Sequence, residues 1–336
     1  MMMEKRATSY DVAKLAGVSQ SAVSRVFSPN GSASKKTREK VLEAARELAF
    51  VPNPIAKSLS LGRSRLAGLI VTQYAQQNYP VALRSAVDVM SETGDSLLIQ
   101  IIDSSDYADT AIEQLLQKRV DIVICAASIT VAAAQSCKDA AVPLVLINRT
   151  LDFEWVDQVV SPNADIMHDV AEHLATTGAR ETLFIDGGDD NWISVERRRG
   201  YVDGCRIHGL PDPAILSSSF DYDGGLAAIA DLGESVRKFD AVVAANDPMA
   251  LGALDALRHD IGLDVPSDIQ VVGHDDTEVA RYQSYGLTSV RQDMHNMLLK
   301  AIELAYARLD EPGRDKIATE VENELLLRST TKNRSD

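Results

Sequence analysis

The chain has 336 residues, enough for two or three domains, and its 45% hydrophobic and 25% charged content is typical of a soluble globular protein. It contains no apolar run of the roughly 18 residues that a membrane span needs. Its first residues, MMMEKRATSY, lack the apolar region of a signal peptide, so we expect a cytoplasmic protein without membrane contact. Cys125, Cys137 and Cys205 are odd in number and widely spaced, which predicts buried free thiols rather than disulfides or a metal site.

The formal net charge of −15 is divided unevenly along the chain. Residues 1–66 contain twelve Lys or Arg and five Asp or Glu, a net charge of +7, whereas the remaining residues contain 22 basic and 44 acidic side chains, a net charge of −22. This asymmetry indicates a small basic segment that binds nucleic acid, attached to an acidic body. Because the acidic body repels DNA, binding is left to the small segment.

Four short helices are predicted in the first 62 residues. Thr8 is a suitable N-cap for the first helix, and Asp11 three residues later completes a start that resembles a capping box. Val12 and Leu15 form the apolar face of this helix, and Gly17 ends it in a conformation that favours a residue without a Cβ.

The second and third helices follow a short connection. Ser19 caps the second helix and Ser34 opens the third. Apolar residues at helical spacing predict the buried faces of these two helices: Val23, Val26 and Phe27, then Val41, Leu42, Ala45 and Leu48. Two helices joined by a tight turn that contains Gly form a helix-turn-helix, which is usually a DNA-binding motif.

The fourth helix lies in the segment VPNPIAKSLSLGRS, residues 51–64. Asn53 can cap it, Pro54 suits its first position and Gly62 suits its end. Because an isolated helix needs about 12–15 residues to persist in water, we expect this shorter one to be mostly unfolded until a partner orders it.

From Leu66 onward, apolar strands alternate with amphipathic helices. The runs LAGLIVT, SLLIQIID, VDIVICAA and VPLVLINR are typical of parallel strands buried on both faces. After Asn163 the pattern restarts with ETLFIDG, AVVAAND and IQVVGHDD. The sequence therefore predicts an α/β body of two doubly wound lobes, with a ligand site in the cleft between them, beyond the carboxyl ends of the strands.

No motif predicts catalysis, a metal site or a cofactor. The chain lacks a dinucleotide fingerprint, a phosphate-binding loop, a nucleophile elbow and a zinc-protease motif. His168 and His173 do not share a helix face well enough to bind one metal, and IDGGDDN lacks the spaced ligands of a calcium loop. We therefore expect a protein that is not an enzyme.

The second helix carries the side chains that can discriminate bases. Gln20, Ser21 and Arg25 occupy its exposed face, where Gln can pair with adenine and Arg with guanine. Hydroxyls, helix N-termini or ammonium groups that can hold phosphates are predicted at Thr8, Ser19, Ser24, Ser34, Lys36 and Thr37. The alternative from the residues alone is a structural helical bundle whose exposed polar side chains have no function.

TSYDVAKLAGVSQSAVSRVF and SKKTREKVLEAARELAFVPNPIAKSLSLGRS resemble the lactose-repressor (LacI/GalR) family of bacterial transcription regulators. RRRGYVDG, AANDPMALGALDAL and VVGHDDTEVARY…LTSVRQD extend this resemblance over essentially the whole chain. It implies a helix-turn-helix headpiece and a two-lobed body like the type I periplasmic sugar-binding proteins. It also implies a homodimer that binds a palindromic operator under the control of an effector, most simply a sugar or sugar derivative.

The resemblance also assigns roles in the DNA-binding part. It implies that Gln20 and Ser21 vary with operator sequence and that Arg25 contacts a base. The short helix resembles the family's hinge helix, with Ala56 and Leu59 in the minor groove, and Asn53 is included in this contact region. Leu59 could instead anchor the helix on the neighbouring lobe. Two departures, Ala22 for a common Thr and Ser28 for a common Asn, are expected to reduce phosphate contacts without changing the bases that are read.

In the body, the resemblance implies an effector site whose members are Arg197, Asn246, Asp275, Gln292 and Phe220, with Arg149 at its mouth. Trp192 and Tyr79 are additional candidate walls, although either could be a packing residue. Arg198 and Arg199 are expected to be solvated, and Asp276 to cap the following helix. Asn148–Arg149 departs from the usual Asp-x-Arg-like ending of the fourth strand, which makes the ligand less predictable.

The predicted organisation is a headpiece at 1–52, a hinge helix and linker at 53–64, and an effector-binding and dimerisation domain at 65–336. The first lobe is expected at about 65–161 and 291–322, and the second at about 162–290 and 323–336. Two other functions compete with this interpretation. A pure solute-binding protein would not need the basic headpiece, and an enzyme acting on sugars in the cleft would need a nucleophile or acid/base pair that the sequence does not offer.

Overall fold

The computed structural model describes residues 7–27, 32–51, 63–74, 80–189 and 191–333. The chain divides into two compact units, Met1–Arg65 and Leu66–Asp336. Within the described ranges, no helix combines the length and the apolar character that crossing a membrane requires.

The first unit contains three described helices: α1 (Ser9–Ala16), α2 (Gln20–Val26) and α3 (Lys35–Glu47). The predicted caps are confirmed, because Thr8 forms a capping box with Asp11 and the side chains of Ser19 and Ser34 accept from backbone amides of the helices they precede. Gly17 ends α1 with φ of +65°. The predicted fourth helix lies outside the described residues.

A small core joins these helices. It is built from buried side chains of all three: Val12, Ala13, Ala16, Val23, Val26, Val41, Ala44 and Ala45. Phe27 and Phe50 pack beside it, with ring centroids 5.8 Å apart. The prediction that Leu15 belongs to the buried face was wrong. Leu15 is 46% exposed, because the inward face of α1 follows Val12, Ala13 and Ala16 at i, i+1 and i+4.

The second unit is an α/β body, and its strands follow one another along the chain as β1 (Leu66–Thr72), β2 (Ser96–Ile102), β3 (Ile122–Cys125), β4 (Leu144–Ile147), β5 (Asp157–Val160), β6 (Thr182–Asp186), β7 (Ala214–Ser217), β8 (Ala241–Ala244), β9 (Gln270–Asp275), β10 (Thr288–Gln292), β11 (Ala318–Glu320) and β12 (Asn323–Leu326). One sheet has the order β11-β5-β4-β3-β1-β2 and the other β12-β10-β9-β8-β6-β7. All neighbouring strands are parallel except β10 and β12, so the predicted fold class is confirmed.

The helices of the body are α4 (Pro80–Thr93), α5 (Ala108–Gln117), α6 (Val131–Asp139), α7 (Ile166–Thr176), α8 (Trp192–Ile207), α9 (Tyr222–Leu232), α10 (Asp247–Asp255) and α11 (Met294–Asp310). Helices α4 and α11 pack on one face of the first sheet, while α7 to α10 surround the second sheet. We call the first sheet with its helices the first lobe and the second sheet with its helices the second lobe. The chain therefore passes between the lobes at three crossovers: the first after β5, the second after β10 and the third between β11 and β12.

Strands β1, β3, β4, β6, β8 and β9 are buried and agree with the apolar runs of the sequence, and the three cysteines are buried and free, as predicted. The prediction that β2 is buried on both faces was wrong, because β2 lies at the edge of its sheet and its residues are mostly half-buried. The short strands β5, β7, β10, β11 and β12 were not predicted from apolar runs. β7 and β11 are mostly exposed edge strands of only four and three residues, too short to stand out in the sequence even though β7 contains Ile215 and Leu216.

Candidate functional site

Helix α2 presents polar side chains on one exposed side. Gln20, Ser21, Ser24 and Arg25 are all exposed, whereas Val23 and Val26 on the opposite side are buried in the core of the first unit. The spacing of the exposed residues, i, i+1, i+4 and i+5, places them on one continuous face. This face offers an amide, hydroxyls and a guanidinium, the groups that hydrogen-bond base edges in a groove.

The hydroxyls expected to hold phosphates also fix the helix ends. Thr8 Oγ1 lies 2.7 Å from Asp11 Oδ2, and Ser19 Oγ accepts from Ala22 N at 3.2 Å. Ser34 Oγ accepts from Thr37 N at 3.2 Å and contacts Thr37 Oγ1 at 2.9 Å. These side chains therefore orient the helix N-termini, which are themselves anion-binding features.

Lys36 lies in the first turn of α3 and is exposed. The remaining DNA-binding predictions, Asn53, Ala56 and Leu59, lie outside the described residues, as does Ser28.

In the body, Arg197 of α8 is the centre of a buried polar cluster. The residue is 1% exposed, yet its guanidinium has three acceptors. Nε donates to Asn163 Oδ1 at 3.0 Å, Nη1 to the carbonyl oxygen of Ala245 at 2.6 Å, and Nη2 to Asp275 Oδ1 at 3.0 Å. The long side chain is thus held by acceptors at the ends of β8 and β9 and on the crossover that follows β5.

Asp275 at the end of β9 receives contacts from both lobes. Tyr74, which follows β1 of the first lobe, donates its hydroxyl to Asp275 Oδ2. Burial alone would raise the pKa of this carboxyl, but Arg197, His274 and Tyr74 together lower it, so it is ionised at neutral pH. Burial and Arg197 lower the pKa of His274 to about 4, so the imidazole is neutral.

The backbone after β9 is in the left-handed region, with φ of +115° at Asp275 and +53° at Asp276. The carboxyl group of Asp247, behind the turn, holds it in place. Asp247 Oδ2 accepts a hydrogen bond from Thr277 N at 2.6 Å, and Asp247 Oδ1 accepts one from Ser289 Oγ at 2.6 Å. The hydroxyl of Ser289 in turn accepts from Asp276 N at 3.0 Å. Burial and repulsion by Asp275 raise the pKa of Asp247 to about 8, although the bonds from Ser289 and Thr277 oppose the rise.

Side-chain amides connect the three crossovers between the lobes. Asn163 Oδ1, the acceptor of Arg197, also lies 3.5 Å from Gln292 Nε2 at the end of β10. Asn148 Oδ1 accepts from Ser161 N at 3.1 Å, and Ser161 Oγ donates to Asn323 Oδ1 at 2.5 Å. The network therefore spans the first, second and third crossovers, so a change in lobe orientation would have to rearrange it.

Arg149 follows β4 of the first lobe and is half-buried. Its Nη1 donates to the carbonyl oxygen of Asn148 at 2.7 Å. Burial lowers the pKa of this guanidinium to about 10, an effect that Cys125 opposes and Arg197 reinforces. The group remains charged at neutral pH and lies within electrostatic range of Arg197.

The aromatic candidates are placed differently from one another. Phe220 packs against Tyr74 across the lobes, with ring centroids 5.3 Å apart and planes tilted by 47°. Trp192 is the first residue of α8 and is half-buried. Tyr79 lies outside the described residues.

Two sequence expectations about polar residues were wrong. Arg198 is not free in solvent, because it pairs with Asp186 at 2.5 Å and Asp189 at 2.7 Å. Asn246, a predicted effector-site residue, is fully buried, with Oδ1 accepting from Met249 N and Nδ2 donating to the Phe220 carbonyl.

The other expectation that was wrong concerns Asp276, which does not cap a helix. Its carboxylate pairs with Arg281 at 2.8 Å and Arg328 at 2.5 Å. Arg199 is exposed and pairs with Glu196 of its own helix, in agreement with expectation.

Tyr74 and Asn163 contribute to the cluster but were not predicted. Each directly follows a strand or begins a crossover, a position that the alternation of strands and helices could have indicated. Across the described ranges, no group of three or more His, Cys, Asp or Glu side chains is arranged to hold a metal ion.

Two family models match the chain. Residues 8–53 match the model of bacterial regulatory proteins of the lacI family, and residues 171–331 match the model of the periplasmic binding protein-like domain. The chain is 33% identical over 310 residues to the HTH-type transcriptional regulator AscG of Escherichia coli (strain K12), an alignment that covers 90% of this chain and 92% of that protein.

Two solved structures are similar over nearly the full length. A complex of the transcriptional regulator CelR with cellobiose has a TM-score of 0.70 and 30% identity, covering 97% of this chain and 100% of that one. The lac repressor dimer bound to operator and the anti-inducer ONPF has a TM-score of 0.83 and 26% identity, covering 97% and 99%.

Proposed function

Because the chain belongs to the lacI family of bacterial regulatory proteins, which are DNA-binding transcriptional regulators and not enzymes, we propose that it is a repressor controlled by a carbohydrate effector. It binds a palindromic operator as a homodimer. A sugar or sugar derivative, held between the two lobes of the body, changes the affinity for that operator. The protein acts in the cytoplasm, where the operator lies.

The observation that carries the DNA-binding part of this proposal is the exposed polar face of α2. Gln20, Ser21 and Arg25 project from a helix whose other side is fixed in a core, which is the arrangement needed to read bases in the major groove. Thr8, Ser19, Ser24, Ser34, Lys36 and Thr37 are proposed to contact phosphates. Because the unit containing them is basic, it favours the polyanion that the acidic body repels.

The effector part is supported by the polar cluster between the lobes. Arg197, Asp275 and Gln292 meet where both sheets end, and Tyr74 and Phe220 supply aromatic surface beside them. Hydrogen-bonding groups combined with aromatic faces suit a sugar ring. The cellobiose in the CelR complex supports a carbohydrate as the class of ligand.

We further propose that residues 53–64 form the hinge helix and linker between a headpiece at 1–52 and the effector and dimerisation domain at 65–336. Asn53, Ala56 and Leu59 would meet DNA there. A hinge that folds only on the operator gives the effector a means of control, because a change in lobe orientation would separate the two hinges of the dimer.

The test begins with selection of duplexes from a random library by the full chain. The proposal predicts enrichment of a palindrome. Anisotropy titrations of that duplex against a panel of sugars, sugar phosphates and sugar acids should then reveal a ligand that changes the operator Kd by about 5–150-fold. The absence of any enriched sequence would contradict DNA reading, and an operator Kd that no compound changes would contradict effector control.

A further inference from the structure

Arg149 carries a positive charge that the described residues leave uncompensated. The side chain is half-buried, and the hydrogen bond it makes goes to the neutral carbonyl of Asn148. Among the residues that the structure describes, no Asp or Glu forms an ion pair with it. Cys125 is close enough to interact electrostatically, but burial raises the pKa of that thiol to about 12, so it remains neutral.

Other guanidiniums of the body have carboxylate partners among the described residues. Arg197 pairs with Asp275, and Arg198 pairs with Asp186 and Asp189. Arg281 and Arg328 share Asp276. The charge of Arg149 therefore differs from that of its neighbours, since burying a cation without an anion is unfavourable.

A second donor beside Arg149 also lacks an acceptor. Asn148 is 3% exposed, and its Oδ1 accepts from Ser161 N, but its Nδ2 is buried and makes no hydrogen bond in the described part of the chain. A buried donor without an acceptor is costly and is usually satisfied by a ligand or by ordered water. Adjacent residues thus provide a half-buried cation and a buried donor at the carboxyl end of β4.

We propose that the effector carries an anionic group, a phosphate ester or a carboxylate, that binds Arg149. This inference rests on the proposed function, because it concerns the ligand of the same interlobe site. The anionic group supplies the negative charge that is missing beside Arg149, while the cluster around Asp275 contacts the sugar ring of the effector. A planar guanidinium suits both anions, because it can donate two parallel hydrogen bonds to either.

The test compares three groups of compounds with the purified full-length chain by calorimetric titration. The neutral group is glucose, ribose and cellobiose, the phosphate group is glucose 6-phosphate, ribose 5-phosphate and inorganic phosphate, and the carboxylate group is gluconate and glucuronate. The proposal predicts that the best anionic compound binds at least about tenfold more tightly than any neutral one. Binding confined to the phosphate or to the carboxylate group identifies which anion is used.

Arg149→Met removes the charge with little loss of side-chain volume. It should weaken binding of the anionic compound about 10- to 100-fold and leave the Tm of the ligand-free protein equal to or above that of the wild type. Arg206→Met is the matched control. It also removes a guanidinium from the body, but Arg206 is exposed and already pairs with Asp212. It should change neither quantity.

Binding of neutral sugars alone, or of none of the compounds, would overturn this inference. A lower Tm for ligand-free Arg149→Met would also overturn it, because the chain itself would then hold the guanidinium. None of these results touches the operator selection described above, so failure here is distinguishable from failure of the proposed function.

Discussion

Replacing Arg197 with Met tests the buried polar cluster of the body. Arg197 is 1% exposed and Asp275 3% exposed, so their ion pair is shielded from water. Removing one partner of such a pair costs about 3–5 kcal/mol, because the remaining charge stays buried without its counter-ion. Arg197→Met should lower the free energy of unfolding of the body by this amount, and Asp275→Asn should lower it similarly, because it leaves the Arg197 guanidinium buried without its counter-ion.

Urea unfolding followed by tryptophan fluorescence measures this change, since both tryptophans of the chain, Trp155 and Trp192, lie in the body. The double variant Arg197→Met/Asp275→Asn should be about 1–3 kcal/mol more stable than the sum of the single effects predicts. The exposed pair of Arg206 and Asp212 is the control and should show no coupling. Strict additivity at the buried pair would refute the claim that Asp275 needs Arg197.

The other predictions concern DNA reading, a helix cap and a buried carboxyl. Arg25→Ala should cost about 1–3 kcal/mol of binding free energy per half-site on the selected operator and little on random DNA. Lys36→Ala should weaken binding to both duplexes and flatten the slope of log K against log salt concentration by about one per half-site. Equal losses on both duplexes for Arg25→Ala would mean that other residues read the bases. Thr8→Ala removes the capping box of α1 and should cost about 1 kcal/mol, measurable as roughly fivefold faster amide exchange in residues 9–16, and unchanged exchange would deny the cap its role. The pKa of Asp247 is raised to about 8, so the stability it contributes falls as pH rises between about 4 and 8 and levels off above; Tm against pH should show this fall relative to Asp247→Asn, and parallel profiles would exclude it.

Local chemistry made the helical unit predictable. The caps at Thr8, Ser19 and Ser34 depend on residues three positions away, so their patterns are complete within a short segment. Leu15 was misplaced because two residues at helical spacing do not fix which side of a short helix meets its neighbours. The buried strands β1, β3 and β4 were equally readable, since parallel strands buried on both faces are continuously apolar. The same apolar pattern located β2 but not its place at the edge of the sheet.

The candidate site was only partly predictable, because its contacts are not local. Tyr74 meets Asp275 across about two hundred positions of sequence, and Asn163 is placed by Arg197, which lies on another element. Asp276 follows a strand and precedes a helical turn, a position that favours a cap, yet Arg281 and Arg328 bind its carboxylate instead. Such partners depend on how elements from distant parts of the chain pack.

Ligand binding in the body and operator binding by the headpiece are expected to be coupled. Coupling between two equilibrium binding sites is reciprocal, so calorimetric titration of the effector into free protein and into protein saturated with operator tests it directly. The effector Kd should change by the same factor by which the effector changes the operator Kd. An effector Kd that is identical with and without operator would contradict it.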